Sequence, residues 1–145
     1  WYDVMIDKKK TGVVMTNGVF DILHRGHIEL LKFAKAQGEK LVVAIDHDNL
    51  VKERKGSSRP VNNFEDRKAL LETLYMVDEV ICFEKAEDLK SLYYQVKPDV
   101  IVKGSEWTAD EVRARDSIPD QIEIKVFPIF ENLSSTKSIE RIKRL

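Results

Sequence analysis

The 145-residue chain has no excess of basic residues. Its 24 Lys and Arg stand against 25 Asp and Glu, for a formal charge of −1 and a pI near 6.4. A protein that grips a phosphate backbone ordinarily concentrates cations, so nucleic acid is not an expected partner. Long apolar runs are missing too. No stretch approaches the roughly 20 residues of a membrane-spanning helix, and no charged-then-apolar leader stands at the start, so no membrane partner is expected. Cysteine is reduced to one. Cys82 cannot close an internal disulfide, and its setting, Val80-Ile81-Cys82-Phe83, reads as a buried structural thiol. That usage fits a reducing, cytoplasmic location. Six Gly and four Pro beside 43% hydrophobic residues allow one compact domain and leave too little chain for two. Residues 1–10 read as an N-terminal extension and 11–145 as the domain. The start at Trp1 leaves open a preceding segment.

What is present is an alternation of short β-branched runs with longer segments of helical period, the pattern of βαβ units. It predicts strands over Gly12–Thr16, Lys40–Asp46, Glu79–Phe83, Val100–Lys103 and Ile124–Phe127. A first helix is marked by Ile28, Leu31, Phe33 and Ala34 and stopped by Gly38; others are expected over Phe64–Tyr75, Asp88–Val96 and Ser135–Ile142. The expected fold is α/β: a single Rossmann-like domain with a five-stranded, mainly parallel sheet and helices on both faces. Glu53–Pro60 reads as a basic, flexible loop, and Asp110–Pro119 has no clear assignment. Ligands of open parallel sheets bind beyond the carboxyl ends of the strands. Three such places carry polar residues: Asn17 to His27, Asp46 to Asp48, and Lys103 to Trp107.

The first of these, Thr16-Asn17-Gly18-Val19-Phe20-Asp21-Ile22-Leu23-His24-Arg25-Gly26-His27, leads into the first helix. Two imidazoles at a helix entrance can project to one side, Gly26 between them lets a phosphate approach the backbone, and the helix N-terminus adds N–H donors and a positive dipole end. The combination suits an anion. A capping role is the alternative for a histidine at a helix start. A protein-held metal is disfavoured, because a structural zinc wants about four ligands and His47 and Cys82 show no ligand spacing to this pair; no metal ligands are assigned.

These residues resemble the H-x-G-H signature of the cytidylyltransferase-like nucleotidyltransferase superfamily. Lys55-Gly56-Ser57-Ser58-Arg59-Pro60-Val61-Asn62 with Glu65-Asp66-Arg67, and Pro98-Asp99-Val100-Ile101-Val102-Lys103-Gly104-Ser105-Glu106-Trp107, are similar to its heptose-1-phosphate adenylyltransferase branch. Phe130-Glu131 leading to Ser134-Ser135-Thr136 resembles the family's final helix start. The likeness runs from about Thr11 to Ile142 and implies that 11–145 is a nucleotidyltransferase domain. It would transfer AMP from ATP to a sugar phosphate, D-glycero-β-D-manno-heptose 1-phosphate, giving the ADP-sugar and pyrophosphate.

Attack of a phosphate oxygen on an α-phosphorus is assisted mainly by positioning and by cationic stabilisation. The resemblance gives catalytic roles to His24, His27, Lys55 and Arg67. Nucleotide contacts are expected from Asn17, Gly18, Phe20, Asp21, Gly26, Lys103, Gly104, Glu106, Ser134, Ser135 and Thr136. Asp21 can orient a ligand or structure its turn, and capping explains Ser134 to Thr136 as well as triphosphate binding does. Mg²⁺ is implied with the triphosphate, and a homodimer by the family. Ser105, Glu106 and Trp107 stand where the branch usually has Gly, Asp and Tyr. A shortened stretch precedes Ser134 and lacks the branch's usual Asp-Gly. The nearest rival, glycerol-3-phosphate cytidylyltransferase, would take CTP and a polyol phosphate, but its final-motif Arg has no counterpart at Ile129 or Phe130. A nucleotide-sensing module without turnover is a third reading. The basic loop is expected to be mobile without ligand and to close over the triphosphate.

Overall fold

The computed structural model describes residues 12–104, 107–128 and 134–145. The expected extension over residues 1–10, Glu106, and Phe130 with Glu131 lie outside the described residues. Five strands, β1 Val13–Gly18, β2 Lys40–Asp46, β3 Glu79–Phe83, β4 Val100–Gly104 and β5 Glu123–Phe127, form one sheet in the order β3-β2-β1-β4-β5, with every pairing parallel. The helices are α1 Arg25–Lys35, α2 Asp48–Lys55, α3 Phe64–Glu72, α4 Ala86–Val96, α5 Ala109–Asp116 and α6 Ser135–Lys143.

The strands are β-branched on both sides because both faces are covered. Val14 of β1, Leu41, Val43 and Ile45 of β2, and Val100 and Val102 of β4 pack with Leu31 and Ala34 of α1 and Leu71 of α3. On the other face Met15, Ala44 and Ile101 meet Tyr93 of α4 and Val112 of α5. The α1–sheet contact is tight. A Cβ on Gly38, just past α1, would lie 2.7 Å from Val14 Cγ2 and 2.8 Å from the Gly12 carbonyl oxygen, so only glycine fits there.

Four differences from the sequence expectation have physical causes. Asn17 and Gly18 are the last residues of β1, held by pairing with Ala44 and Ile45, so the polar motif begins on the strand. Glu53, Arg54 and Lys55, expected in the loop, are the last turn of α2. That helix buries only Leu50 and Val51 and is capped by a histidine, His47, which accepts from Asn49 N–H, so it has neither a periodic stripe nor an ordinary cap residue to announce it. The unassigned stretch contains α5, which buries Val112 alone and is capped by Thr108. α4 begins two residues earlier than expected, because the Asp88 carboxylate accepts from Lys85 N–H at the third helical position. Among the described residues no helix is long and apolar enough to cross a membrane.

β1 leads to β2 and β3 on one side, and the chain then crosses back to place β4 on the other side of β1. The order reverses between β1 and β4, which opens a crevice at their carboxyl ends.

Candidate active site

Gly18 closes β1, and a Cβ there would sit 3.0 Å from the Phe20 ring. Phe20 itself is buried with φ 51°, a left-handed conformation costly for a bulky residue and found mostly where a site demands it. The turn lays its ring 5.2 Å from that of His27. His24 caps α1: its Nδ1 accepts from Gly26 N–H at 3.0 Å, and His27 Nδ1 accepts from His24 N–H at 3.2 Å. The two rings stack with centroids 3.8 Å apart. With both Nδ1 atoms accepting, each neutral imidazole carries its proton on Nε2. Burial, with His24 and Lys55 nearby, pushes the His27 pKa down to about 4, and burial lowers that of His24. At neutral pH both are therefore uncharged Nε2–H donors. Capping and anion binding are compatible, because they use opposite nitrogens of the rings.

The imidazoles line a cavity of about 290 Å³ together with Gly26, Lys55 and the first turn of α6 at Ser134, Ser135 and Thr136. That turn has N–H groups without helical acceptors, as every first turn does. Burial and the Arg59 charge lower the Lys55 pKa. The three hydroxyls also have protein partners. Ser134 Oγ accepts from Lys137 N–H, Ser135 Oγ donates to the Ile22 carbonyl and accepts from Ile22 N–H, and Thr136 Oγ1 accepts from Arg59 at 3.3 Å. The Ser135 bonds dock α6 onto the β1–α1 turn, that of Ser134 caps α6 itself, and that of Thr136 ties α6 to the segment between α2 and α3.

Val19, Phe20, His27, Leu30 and Gly104 are shared with a second cavity of about 550 Å³ over the switch point, completed by Asn17, Gly18, Lys103, Trp107 and Arg115. Lys103 is buried, hydrogen-bonded to Asn17 Oδ1 and paired with Asp116 at 2.9 Å. A third cavity, about 700 Å³, adjoins the second through Asn17, Lys103 and Arg115 and carries Arg54 and Lys90 on its walls.

Two residues given site roles by the resemblance, Arg67 at the phosphates and Asp21 at the nucleotide, are bonded to protein instead. Arg67 is fully buried and lines none of these three cavities. Its Nε donates to the Asn62 carbonyl, one terminal nitrogen to the Val19 carbonyl at 2.9 Å, and the other to Asp48 at 2.7 Å. The expected phosphate grip is thus corrected to a pin joining the ends of β1 and β2 to the start of α3. Asp21, also buried, accepts from Val61 N–H at 2.7 Å and Asn62 N–H at 2.8 Å, with Arg59 Nε 3.6 Å away. Of its two open readings, structuring the turn is the one its hydrogen bonds support. The loop expected over Glu53–Pro60 is consequently tied down near its end by Arg59 and just beyond it by Val61 and Asn62.

The structure brings His24, His27, Gly26, Lys55, Ser134, Ser135 and Thr136 around one cavity and Asn17, Gly18, Lys103 and Gly104 around the next, with Phe20 lining both. Sequence reasoning missed Arg115 and Asp116, which lie in the segment it left unassigned; Asp46, singled out with Asp48 as following the second strand but given no role, is buried and paired with Arg54 at 3.0 Å. Asp46 was visible as a carboxylate ending an otherwise apolar strand.

The cytidylyltransferase-like family profile matches residues 15–141. The chain is 43% identical over 132 residues to the bifunctional protein HldE of Pseudomonas fluorescens and 39% identical over 132 residues to that of Alcanivorax borkumensis, covering 90% of this chain in each case. It spans only 28% of the length of those relatives. Among solved structures, the lipopolysaccharide core biosynthesis protein of Thermoplasma volcanium superposes with a TM-score of 0.68 at 31% identity, over 82% of this chain and 98% of that one. Pantothenate synthetase of Thermus thermophilus shares the fold, with a TM-score of 0.59 at 14% identity, over 94% of this chain and 67% of that one. With the H-x-G-H geometry, the switch-point cleft and these likenesses in agreement, the chain belongs to the cytidylyltransferase-like family of nucleotidyltransferases.

Proposed function

We propose that this domain transfers AMP from ATP to a sugar phosphate, heptose 1-phosphate being the favoured acceptor, and releases pyrophosphate. The observation that carries the reading is the convergence of two neutral Nε2–H imidazoles, Lys55 and the first turn of α6 on one cavity that opens into the switch-point cleft. Such donors match a triphosphate whose nonbridging oxygens gain charge as the α-phosphorus is attacked. The nucleoside then occupies the cleft over Gly18 and Gly104, with the β- and γ-phosphates toward Ser134–Thr136. Preference for ATP and a sugar phosphate rests on the likeness of the Lys55–Asn62 and Pro98–Trp107 segments to the adenylyl branch. The likeness to a lipopolysaccharide core biosynthesis protein supports a place for this domain in lipopolysaccharide core biosynthesis.

Among the described residues no group of three or more His, Cys, Asp or Glu is placed to hold a metal ion. The polar side chains on the walls of the 290 Å³ and 550 Å³ cavities are donors and cations, which fit a magnesium–triphosphate complex brought in as substrate.

The test is pyrophosphate release from each nucleoside triphosphate with magnesium and a panel of phosphorylated acceptors. ATP with heptose 1-phosphate should give the highest kcat/KM. A value for CTP with glycerol 3-phosphate equal to or above it would replace this reading by the cytidylyl one, and nucleotide binding with no release would make the domain a sensor.

A further inference from the structure

We propose that Asp116 is a positioning residue of the transfer reaction: it fixes the Lys103 ammonium at the wall between the nucleotide cleft and the adjoining cavity, and holds Arg115 beside Trp107. The proposal rests on the reading that nucleotidyl transfer takes place in this cleft.

The geometry is a short chain of charges. Asp116 Oδ2 lies 2.9 Å from Lys103 Nζ, while its Oδ1 lies 3.0 Å from Arg115 Nε. The guanidinium of Arg115 stands 5.0 Å over the Trp107 ring at the mouth of the cleft. Lys103 and Arg115 each line both the 550 Å³ cleft and the 700 Å³ cavity. One carboxylate thus sets two cations that face two compartments. An ammonium has three donors. Among the described residues Asn17 and Asp116 engage two of them, so Lys103 is held by two fixed partners with a third donor to offer a phosphate oxygen.

Asp116 also stands where an acid is unfavourable. It is the final residue of α5, and the carboxyl end of a helix carries partial negative charge that disfavours an anion. The two adjacent cations offset that cost, and they in turn depend on it. Without the carboxylate, Lys103 would be a buried ammonium next to a guanidinium. The groups that face it are Asp116 and Arg115 from α5, Asp46 from β2 with its partner Arg54 of α2, and Asn17 from β1; Glu87 and Lys90 of α4 line the same cavity, and the buried Tyr93 of α4 faces Asp116 and Arg115. Burial lowers the Lys103 pKa, Asp116 and Asp46 raise it, and Arg115 lowers it. Removing the nearest carboxylate leaves burial and Arg115 opposed only by Asp46, so Lys103 would lose its proton at a lower pH.

The experiment uses the intact chain, with Lys103 identified by Lys103→Arg in ¹³C-lysine NMR spectra. In Asp116→Asn, the titration of Lys103 and the alkaline limb of kcat/KM for ATP should both fall by about 1–2 pH units, the size expected for loss of an adjacent opposite charge. Asp116→Glu, which keeps the charge one methylene farther out, should restore most of both. A Lys103 titration and an alkaline limb unmoved in Asp116→Asn would overturn the proposal, as would Asp116→Glu behaving like the asparagine variant. If no triphosphate and acceptor pair turns over, the transfer reading fails. The lysine titration still decides, separately, whether Asp116 sets this ammonium.

Discussion

Arg67 and Lys55 both resemble phosphate-gripping cations in sequence, yet they occupy opposite environments. Arg67 is sealed beneath the turn after β1, with its guanidinium divided among Val19, Asn62 and Asp48. Lys55 ends α2 on the surface and lines the cavity that holds the imidazoles. The same contrast divides the whole site. Its floor, Arg67, Asp21 and Asn62, has spent its donors and acceptors on protein, while its wall, His24, His27 and Lys55, is turned to the cavity. A binding site needs both. Donors left free to meet a ligand must be placed by groups that are not, because each immobilised part otherwise adds an ordering cost on binding.

The sharpest way to break this comparison is Arg67→Ala. It removes the buried partner of the partly exposed Asp48 carboxylate and of two half-buried carbonyls, a loss that reaches about 3–5 kcal/mol when a pair is fully buried and less with part exposure. The expected result is a large drop in the urea midpoint with an unchanged m value. A normal midpoint with a raised KM for ATP would return Arg67 to the phosphates. Next in size are His24→Ala and His27→Ala. Each removes an Nε2–H donor that matters most in the transition state, so kcat should fall by about 10²–10³ with far-UV circular dichroism retained. Near-normal kcat in either variant would remove the imidazoles from the wall.

A smaller effect lies in the pH dependence of stability. The folded pKa of His27 is about 4, against an ordinary value of 6.5. Between those values the unfolded chain binds a proton that the folded one refuses, so stability falls as pH drops from 6.5 towards 4 and is fully present above 6.5. The expected loss is on the order of 2–3 kcal/mol, allowing for partial exposure. His27→Gln should flatten that limb of the stability profile in urea titrations at several pH values. An unchanged slope would place the acid sensitivity in other groups.

The wall was more legible in the sequence than the floor, and for a physical reason. His24, Gly26 and His27 are neighbours on one helix start, so local geometry alone brings them together, and the strands betray themselves as β-branched runs because both sheet faces are covered. The floor is assembled from distant segments. Arg67 sits in the first turns of a helix rich in charge, and nothing local shows that α3 drives it under Val19, 48 residues away. Arg59 meets Thr136 across 77 residues. Asp116 reaches Lys103 through α5, whose single buried residue leaves no periodic signature. Charged residues with full hydrogen-bonding partners read in sequence like solvated ones, so burial of this kind is visible only in three dimensions.

The smallest expected effect tests the comparison from the open side. Lys55 is exposed at the end of α2, and no hydrogen bond or ion pair to it is among those described, so Lys55→Ala strands nothing. Stability should stay within about 0.5 kcal/mol of the parent, as for an ordinary surface change. Its cost should instead fall on the ligand. Losing one charge-assisted contact to a phosphate, typically about 1.5–3 kcal/mol, predicts a KM for ATP raised roughly 10-fold or more. Because burial and Arg59 already lower the Lys55 pKa, an approaching polyanion should raise it again, so the ATP affinity of the parent weakens as pH climbs above the free-protein value and that of the alanine variant does not. Isothermal titration with a nonhydrolysable ATP analogue at several pH values measures both quantities. Equal affinities for parent and variant across the range would move Lys55 out of the wall, and a midpoint shift as large as that of Arg67→Ala would erase the distinction between the two cations.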